Sequence, residues 1–247
     1  MRLYRTGDKG RPESMDELDS REVPTSFVQA HRNFRDVILN ETRPFPCYFA
    51  AVAERAGSLV YSFLLGSELD EAAPIGSALD AFFSTAKTLP PLPVLVIFAM
   101  RENHTQRLSE DEDIFWRLTN FINRTRVDVE PSDDNDITSP KWLLKFGQTP
   151  IFITGHSPHY KRRLSRWSPD CLTLVVQAKS NLARVASNPC RLNEIVDRIR
   201  TSIDMYDALP RSPLLGVYGQ DDVADWEQFW LPDTNDISAG TCRINGY

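Results

Sequence analysis

The sequence predicts an α/β fold: one layered domain in which a central mixed sheet is flanked by helices. Three observations carry this. Short apolar, β-prone runs recur at Leu59–Leu65, Val94–Met100, Pro150–Thr154 and Leu172–Gln177, and each reads as a strand. Between them lie segments whose apolar residues return every three to four positions, the helical period. The chain has 247 residues, 41% hydrophobic and 25% charged, which suits one large domain able to bury a sizeable core.

Taken in order, residues 1–24 are polar, broken by Gly and Pro, and read as a mobile N-terminal arm. A helix follows over Ser26–Leu39, with Phe27, Phe34, Val37 and Ile38 on its apolar face. Pro46 suits the first position of a second helix, where a missing N–H costs nothing, and Gly57 suits its end. A third helix over Pro74–Lys87 turns Ile75, Leu79, Phe82 and Phe83 inward. Ser109 and Glu112 have the spacing of a capping box, opening a helix to Thr125 with Phe115, Leu118, Phe121 and Ile122 inside. Asp128–Pro140 is an acidic loop, and a short basic helix is expected after His156. Arg191–Tyr206 carries Ile195, Ile199 and Ile203 on one helical stripe, and the tail from Pro210 should wrap the body.

Several functions are disfavoured at once. The formal net charge is -6, and the one dense basic stretch, Lys161-Arg162-Arg163 with Arg166, suits a small carboxylate or propionate rather than nucleic acid. The longest apolar run, near Val94–Met100, is far too short to cross a bilayer. Cys47, Cys171, Cys190 and Cys242 include no Cys-x-x-Cys pair, against zinc-ribbon and iron–sulfur sites. The charged N-terminus lacks an apolar secretion segment, so free thiols and a cytoplasmic setting are expected.

Three stretches hold residues capable of chemistry. If Pro46 opens a helix in Phe45-Pro46-Cys47, Cys47 lies in its first turn, where unpaired N–H groups and the positive dipole end favour a thiolate. That thiolate suits a nucleophile, a redox thiol or an axial ligand to iron; the bland alternative is a buried cysteine acting as a small hydrophobe. The second stretch runs from the strand at Ile151 through Gly155-His156-Ser157-Pro158 to the arginines. His156 there suits a metal ligand, a proton carrier or a hydrogen-bond donor to bound oxygen, and Arg162, Arg163 and Arg166 suit a clamp on an anion. The alternative is a capping histidine on a solvated basic helix, its arginines paired with Asp133–Asp136. The third is Asp111–Arg117, where Phe115 and Trp116 serve either as core or as stacking surfaces for a flat ring.

Together and in order, Phe-Pro-Cys before an Ala-rich helix, an acidic helix with Phe-Trp, and a strand ending in Gly-His-x-Pro with arginines resemble the YqcI/YcgG family. The C-terminal Pro213-Leu214-Leu215, Tyr218-Gly219 and Trp226-Glu227-Gln228 are similar too, so the likeness covers roughly residues 26–232 of a domain taken as 25–247. The family's motif reads Gly-Leu-His-Pro, and this chain departs from it in having no Leu between Gly155 and His156.

The resemblance implies a haem-dependent N-oxygenase acting on amino or guanidino groups of arginine-like compounds, as in the guanitoxin and D-cycloserine pathways. It implies haem b, dioxygen and an electron donor, with a homodimer left open. Carried over by position, it implies Cys47 as axial thiolate and His156 beside the iron or as rival ligand. Phe45, Trp116, Arg162, Arg163 and Arg166 would line the cofactor. Glu54, Glu68 and Asp80 are neighbouring carboxylates that suit a guanidinium. Two other readings share these residues: a haem-binding protein without turnover, and a cofactor-free thiol enzyme using Cys47 and His156.

Overall fold

The computed structural model describes residues 2–16, 22–101, 107–125, 137, 139, 141–181, 189–216, 224–236 and 243–244. Among them the strands are β1 (Tyr4–Thr6), β2 (Pro12–Ser14), β3 (Leu59–Leu65), β4 (Val94–Met100), β5 (Lys145–Phe146), β6 (Thr149–His156) and β7 (Leu172–Ala178). The α-helices are α1 (Thr25–Ile38), α2 (Tyr48–Arg55), α3 (Ala72–Thr85), α4 (Leu108–Asn123) and α5 (Pro189–Tyr206). The seven strands form one sheet in the order β2-β1-β3-β4-β7-β6-β5. β3 and β4 are parallel, from Leu59 opposite Val94 to Leu65 opposite Met100, and the other pairs are antiparallel. The expected mixed sheet with flanking helices is therefore the fold.

Strand alternation sorts the core into two layers. Val60, Leu64, Leu95, Ile97, Ile151, Ile153, Leu174 and Val176 face Ile75, Leu79 and Phe82 of α3 and Ile114, Phe115 and Leu118 of α4. Leu59, Tyr61, Val96 and Phe98 point the other way, against Phe27, Phe34 and Ile38 of α1 and Ala53 of α2. Gly155 belongs to the α3–α4 side, so Thr154 and His156 belong to the α1–α2 side. There α1 covers β3 and β4, while Thr154, Val175 and Gln177 on β6 and β7 stay half-buried.

Four sequence expectations change. Residues 4–14, read as part of an arm, form a hairpin that extends the sheet, with Tyr4 opposite Ser14 and Tyr61. Leu3 and Tyr4 are its buried anchors, and Gly10 takes the positive φ of 71° that the turn requires. α2 begins at Tyr48 rather than Pro46, because Cys47 is still extended at φ -81°, ψ 93° and serves as the N-cap. The Ser109–Glu112 capping box does not form: Arg107 is the N-cap of α4, and Glu112 instead accepts a hydrogen bond from Trp116 Nε1 at 3.3 Å. The basic helix after His156 is only a single 3-10 turn, Leu164–Arg166. The acidic stretch at 128–136 lies outside the described residues.

The N-terminal hairpin closes over a buried polar group. His31 of α1 is fully buried, its Nε2 lies 2.9 Å from Thr6 Oγ1, and burial lowers its pKa to about 4. An unfolded histidine titrates near 6.5, so between those values the unfolded chain binds the extra proton. This contribution is complete above about pH 6.5 and is lost as pH falls through 4. Urea unfolding at pH 7.5 and 4.5 should show a loss of about 2–3 kcal/mol that His31→Gln largely removes. Equal pH dependence in both proteins would refute the assignment.

Candidate functional site

β6 runs in the same direction as β3 and β4, so His156 stands at the carboxyl edge those strands share, opposite Thr173. Open α/β sheets gather ligands at such edges. His156 is 9% exposed, and its Nε2 lies 3.1 Å from Thr154 Oγ1. Burial, and then the Arg166 guanidinium, lower its pKa to about 3, so the imidazole is neutral at physiological pH.

Cys47 lies within the electrostatic reach of the same Arg166. The Phe45 ring meets Tyr206 edge-on at 5.8 Å, and the Arg43 guanidinium lies 4.3 Å over the same Tyr206 ring and donates to its carbonyl. These contacts fasten the segment before α2 to the end of α5. At Cys47, burial pushes the thiol pKa up more than the amides of Ala50 and Phe49 and the Arg166 charge pull it down. The amides act without a formal cap, since no side-chain capping hydrogen bond forms there. Arg166 thus acts on both Cys47 and His156.

The three arginines separate. Arg162 is exposed. Arg163 is fully buried and already engaged: Nε donates to Pro232 O at 2.7 Å, and Nη2 donates to Thr234 O at 3.1 Å and Asn235 Oδ1 at 2.8 Å. Its Nη1 lies 3.8 Å from Asp207. Arg166 is 7% exposed and donates to the Gln228 carbonyl at 2.8 Å and that of Phe229 at 3.4 Å. Among the described residues no carboxylate lies within ion-pair distance of it, and the Asp207 charge reaches it only at longer range. Burial lowers its pKa to about 10, which leaves it protonated at neutral pH.

Sequence reasoning missed why these residues hold this arrangement. Asp233 accepts three successive backbone N–H groups, those of Lys161, Arg162 and Arg163, at 2.7 to 3.0 Å. Asp207 accepts from Ser165 N at 2.6 Å and from its hydroxyl at 3.0 Å. Asp233 thus holds the 161–163 amides together as an anion-binding turn, and the helical segment after it is only the 3-10 turn Leu164–Arg166. The only local hint was the Pro-Asp-Thr-Asn run at 232–235, a composition typical of turns.

Other expectations are not drawn into this site. Trp116 is core on the α3–α4 side, edge-on to Phe115 at 5.2 Å. Glu54 is paired with the chain's own Arg35, and Glu68 accepts the Leu65 amide at 2.7 Å. Asp80 lines a groove of about 520 Å³ with Phe83, Phe146 and Thr149, at the opposite end of β6 from His156. Among the described residues no cluster of three or more His, Cys, Asp or Glu could hold a bare metal ion, and no helix is long and apolar enough to cross a membrane.

Comparison with known proteins adds to this geometry. A protein of Streptomyces lavendulae named "Putative N(omega)-hydroxy-L-arginine synthase DcsA" is 24% identical over 220 residues, 86% of this chain and 83% of that one. The uncharacterized proteins YcgG and YqcI of Bacillus subtilis (strain 168) are 29% and 27% identical over 151 and 134 residues. Those matches cover 57% and 53% of this chain and 56% and 52% of theirs. No solved structure matches the chain. The family model described as YqcI/YcgG matches residues 34–244, a stretch holding Cys47, His156 and Arg166, and the chain belongs to the YqcI/YcgG family.

Proposed function

We propose that this protein is a haem-dependent N-oxygenase that hydroxylates an amino or guanidino nitrogen of a small arginine-like substrate, using dioxygen and an electron donor. The observation that carries this reading is the match along 86% of the chain to the Streptomyces lavendulae relative named "Putative N(omega)-hydroxy-L-arginine synthase DcsA". The donor set fits a haem better than a bare ion. A porphyrin supplies four nitrogens of its own and asks the protein for only one or two axial donors, and Cys47 and His156 are available. Arg166 would hold a propionate through charge-assisted hydrogen bonds. Ile195, Ile199 and Ile203 of α5 are half-buried and join neither apolar cluster, so they would give the ring an apolar wall. Bound haem would supply dioxygen activation, which a thiolate ligand favours by pushing electron density onto iron.

The chain's own residues then have separate tasks. Cys47 would hold the iron through its sulfur; its raised pKa counts against a free nucleophile but not against a ligand, because coordination deprotonates a thiol outright. His156, a neutral imidazole hydrogen-bonded to Thr154 Oγ1, would offer a fixed hydrogen-bonding group to what binds there. One observation favours exchanging these roles: His156 is already neutral and can ligate without losing a proton.

Haem-supplemented protein should give about one haem per chain in a pyridine haemochrome assay and should N-hydroxylate L-arginine or a related guanidine. The reduced, CO-bound Soret band should lie far to the red, and Cys47→Ala should abolish that shift while His156→Ala keeps it. Arg166→Met should speed haem loss about tenfold or more, with Arg166→Lys between it and wild type. Folded protein that takes up no haem would overturn the reading, and a histidine-type spectrum unchanged by Cys47→Ala would move the axial role to His156.

A further inference from the structure

We infer that Glu54 and the N-terminal hairpin form the positioning device for Cys47, an inference that rests on the role proposed for that cysteine. α2 has eight residues, too few to be stable alone, so its place is set by its contacts. Ala50 and Ala53 give it a small apolar footing. The directional contacts are at Glu54, whose side chain is 3% exposed. Its Oε1 accepts from Thr6 Oγ1 at 2.8 Å and from Arg35 Nε, and its Oε2 accepts from Tyr61 Oη at 2.7 Å. The three donors come from β1, α1 and β3, so they fix the carboxylate in three directions.

Thr6 is the keystone of this cage. A hydroxyl has one proton, and Thr6 donates it to Glu54, so the Thr6 oxygen must accept from His31 Nε2–H. That choice of tautomer leaves His31 Nδ1 bare, in agreement with its being buried without a hydrogen-bond partner. Arg35 ties the hairpin from its other end by donating to the Gly10 carbonyl at 3.1 Å. The hairpin at 4–14 lies outside the 34–244 stretch that the family model matches, yet it completes the shell around Glu54.

Cys47 sits at the far end of the same helix, about 10–12 Å from Glu54 at 1.5 Å per residue. A tilt of about 10° at Glu54 would then carry Cys47 by roughly 2 Å, enough to spoil an axial bond or a reacting geometry. The Arg43 and Phe45 contacts with Tyr206 hold the chain before α2 but not the helix, whose alanine contacts permit such rocking, whereas a carboxylate held by three donors resists it.

The test compares Thr6→Val, which keeps the shape and removes the hydroxyl, with Thr6→Ser, which restores it. In haem-free protein at one fixed pH, the iodoacetamide alkylation rate of Cys47, read by peptide mass spectrometry, should change at least fivefold in Thr6→Val. It should return to within twofold of wild type in Thr6→Ser, with Cys171 unchanged throughout as the internal reference. In haem-loaded protein, Thr6→Val should also lose about tenfold in turnover and shift the CO-bound spectrum, and Thr6→Ser should not. Tyr61→Phe serves the same purpose should Thr6→Val fail to fold. A Cys47 rate within twofold of wild type in the folded variant would overturn the inference, whatever its stability. Because alkylation is read without haem, a wild type that binds none would sink the oxygenase reading and leave this test standing.

Discussion

Arg163→Ala should destabilise the protein by about 3–5 kcal/mol in urea unfolding, whereas Arg162→Ala, at the preceding residue, should stay within about 0.5 kcal/mol of wild type. The two residues are adjacent, basic and indistinguishable by local pattern, but one is exposed and the other fully buried. Truncating Arg163 leaves the Pro232 and Thr234 carbonyls and the Asn235 side chain without their donor. It also leaves Asp207, equally buried in its side chain, without the guanidinium 3.8 Å away. Asp207 would keep only its bonds from Ser165, and its pKa is already raised by burial. The carboxyl-edge loop and the C-terminal segment would loosen together, and Arg166 with them, since its partners Gln228 and Phe229 lie in that segment. Equal stability of the two variants would show that Arg163 is not the strut described.

Gly155→Ala should cost about 1–3 kcal/mol and disturb His156, while Gly76→Ala should be neutral or stabilising by up to about 1 kcal/mol. A Cβ on Gly155 would sit 2.4 and 2.6 Å from ring atoms of Trp230 and 2.8 Å from Phe115. Those rings are buried and packed on each other at 5.2 Å, so neither has room to retreat. The Gly155 amide also donates to Phe229 O at 2.9 Å, which ties the close approach to the backbone itself. β6 would have to shift, and His156 is its next residue. At Gly76, in α3, nothing lies within 4 Å of the added carbon, so only the helix preference of alanine acts. Thermal melts and urea curves read the stability difference, and under the haem function proposed above the CO-bound spectrum of Gly155→Ala would read the displacement of His156. A Gly155→Ala protein as stable as wild type would contradict the packing on that face.

The fold class, the four long strands and the five α-helices among the described residues were legible in the sequence because each rests on local signals: periodicity, continuous apolar character, or the residues that start and stop a helix. Val94–Met100 is apolar at every position, as a central strand covered on both faces must be, and Ile195, Ile199 and Ile203 mark a helix by spacing alone. Cys47 and His156 could be nominated the same way, from a helix start and a strand end. Their convergence on Arg166, and the choice of Arg166 over its neighbours, were decided only by tertiary structure. Which acceptors an arginine meets depends on distant parts of the chain: Pro232 and Asn235 claim Arg163 from about seventy positions away, Gln228 and Phe229 take Arg166, and Asp233 gathers the backbone amides of residues 161–163. The hairpin at 4–14 was hidden for the same reason. Its polar sequence has little strand preference of its own, and Thr6 gains its place only from Glu54 and His31 once α1 and α2 are packed. Periodicity reports which side of an element meets the core, while pairing between distant polar groups is set by packing geometry, which no short stretch of sequence encodes.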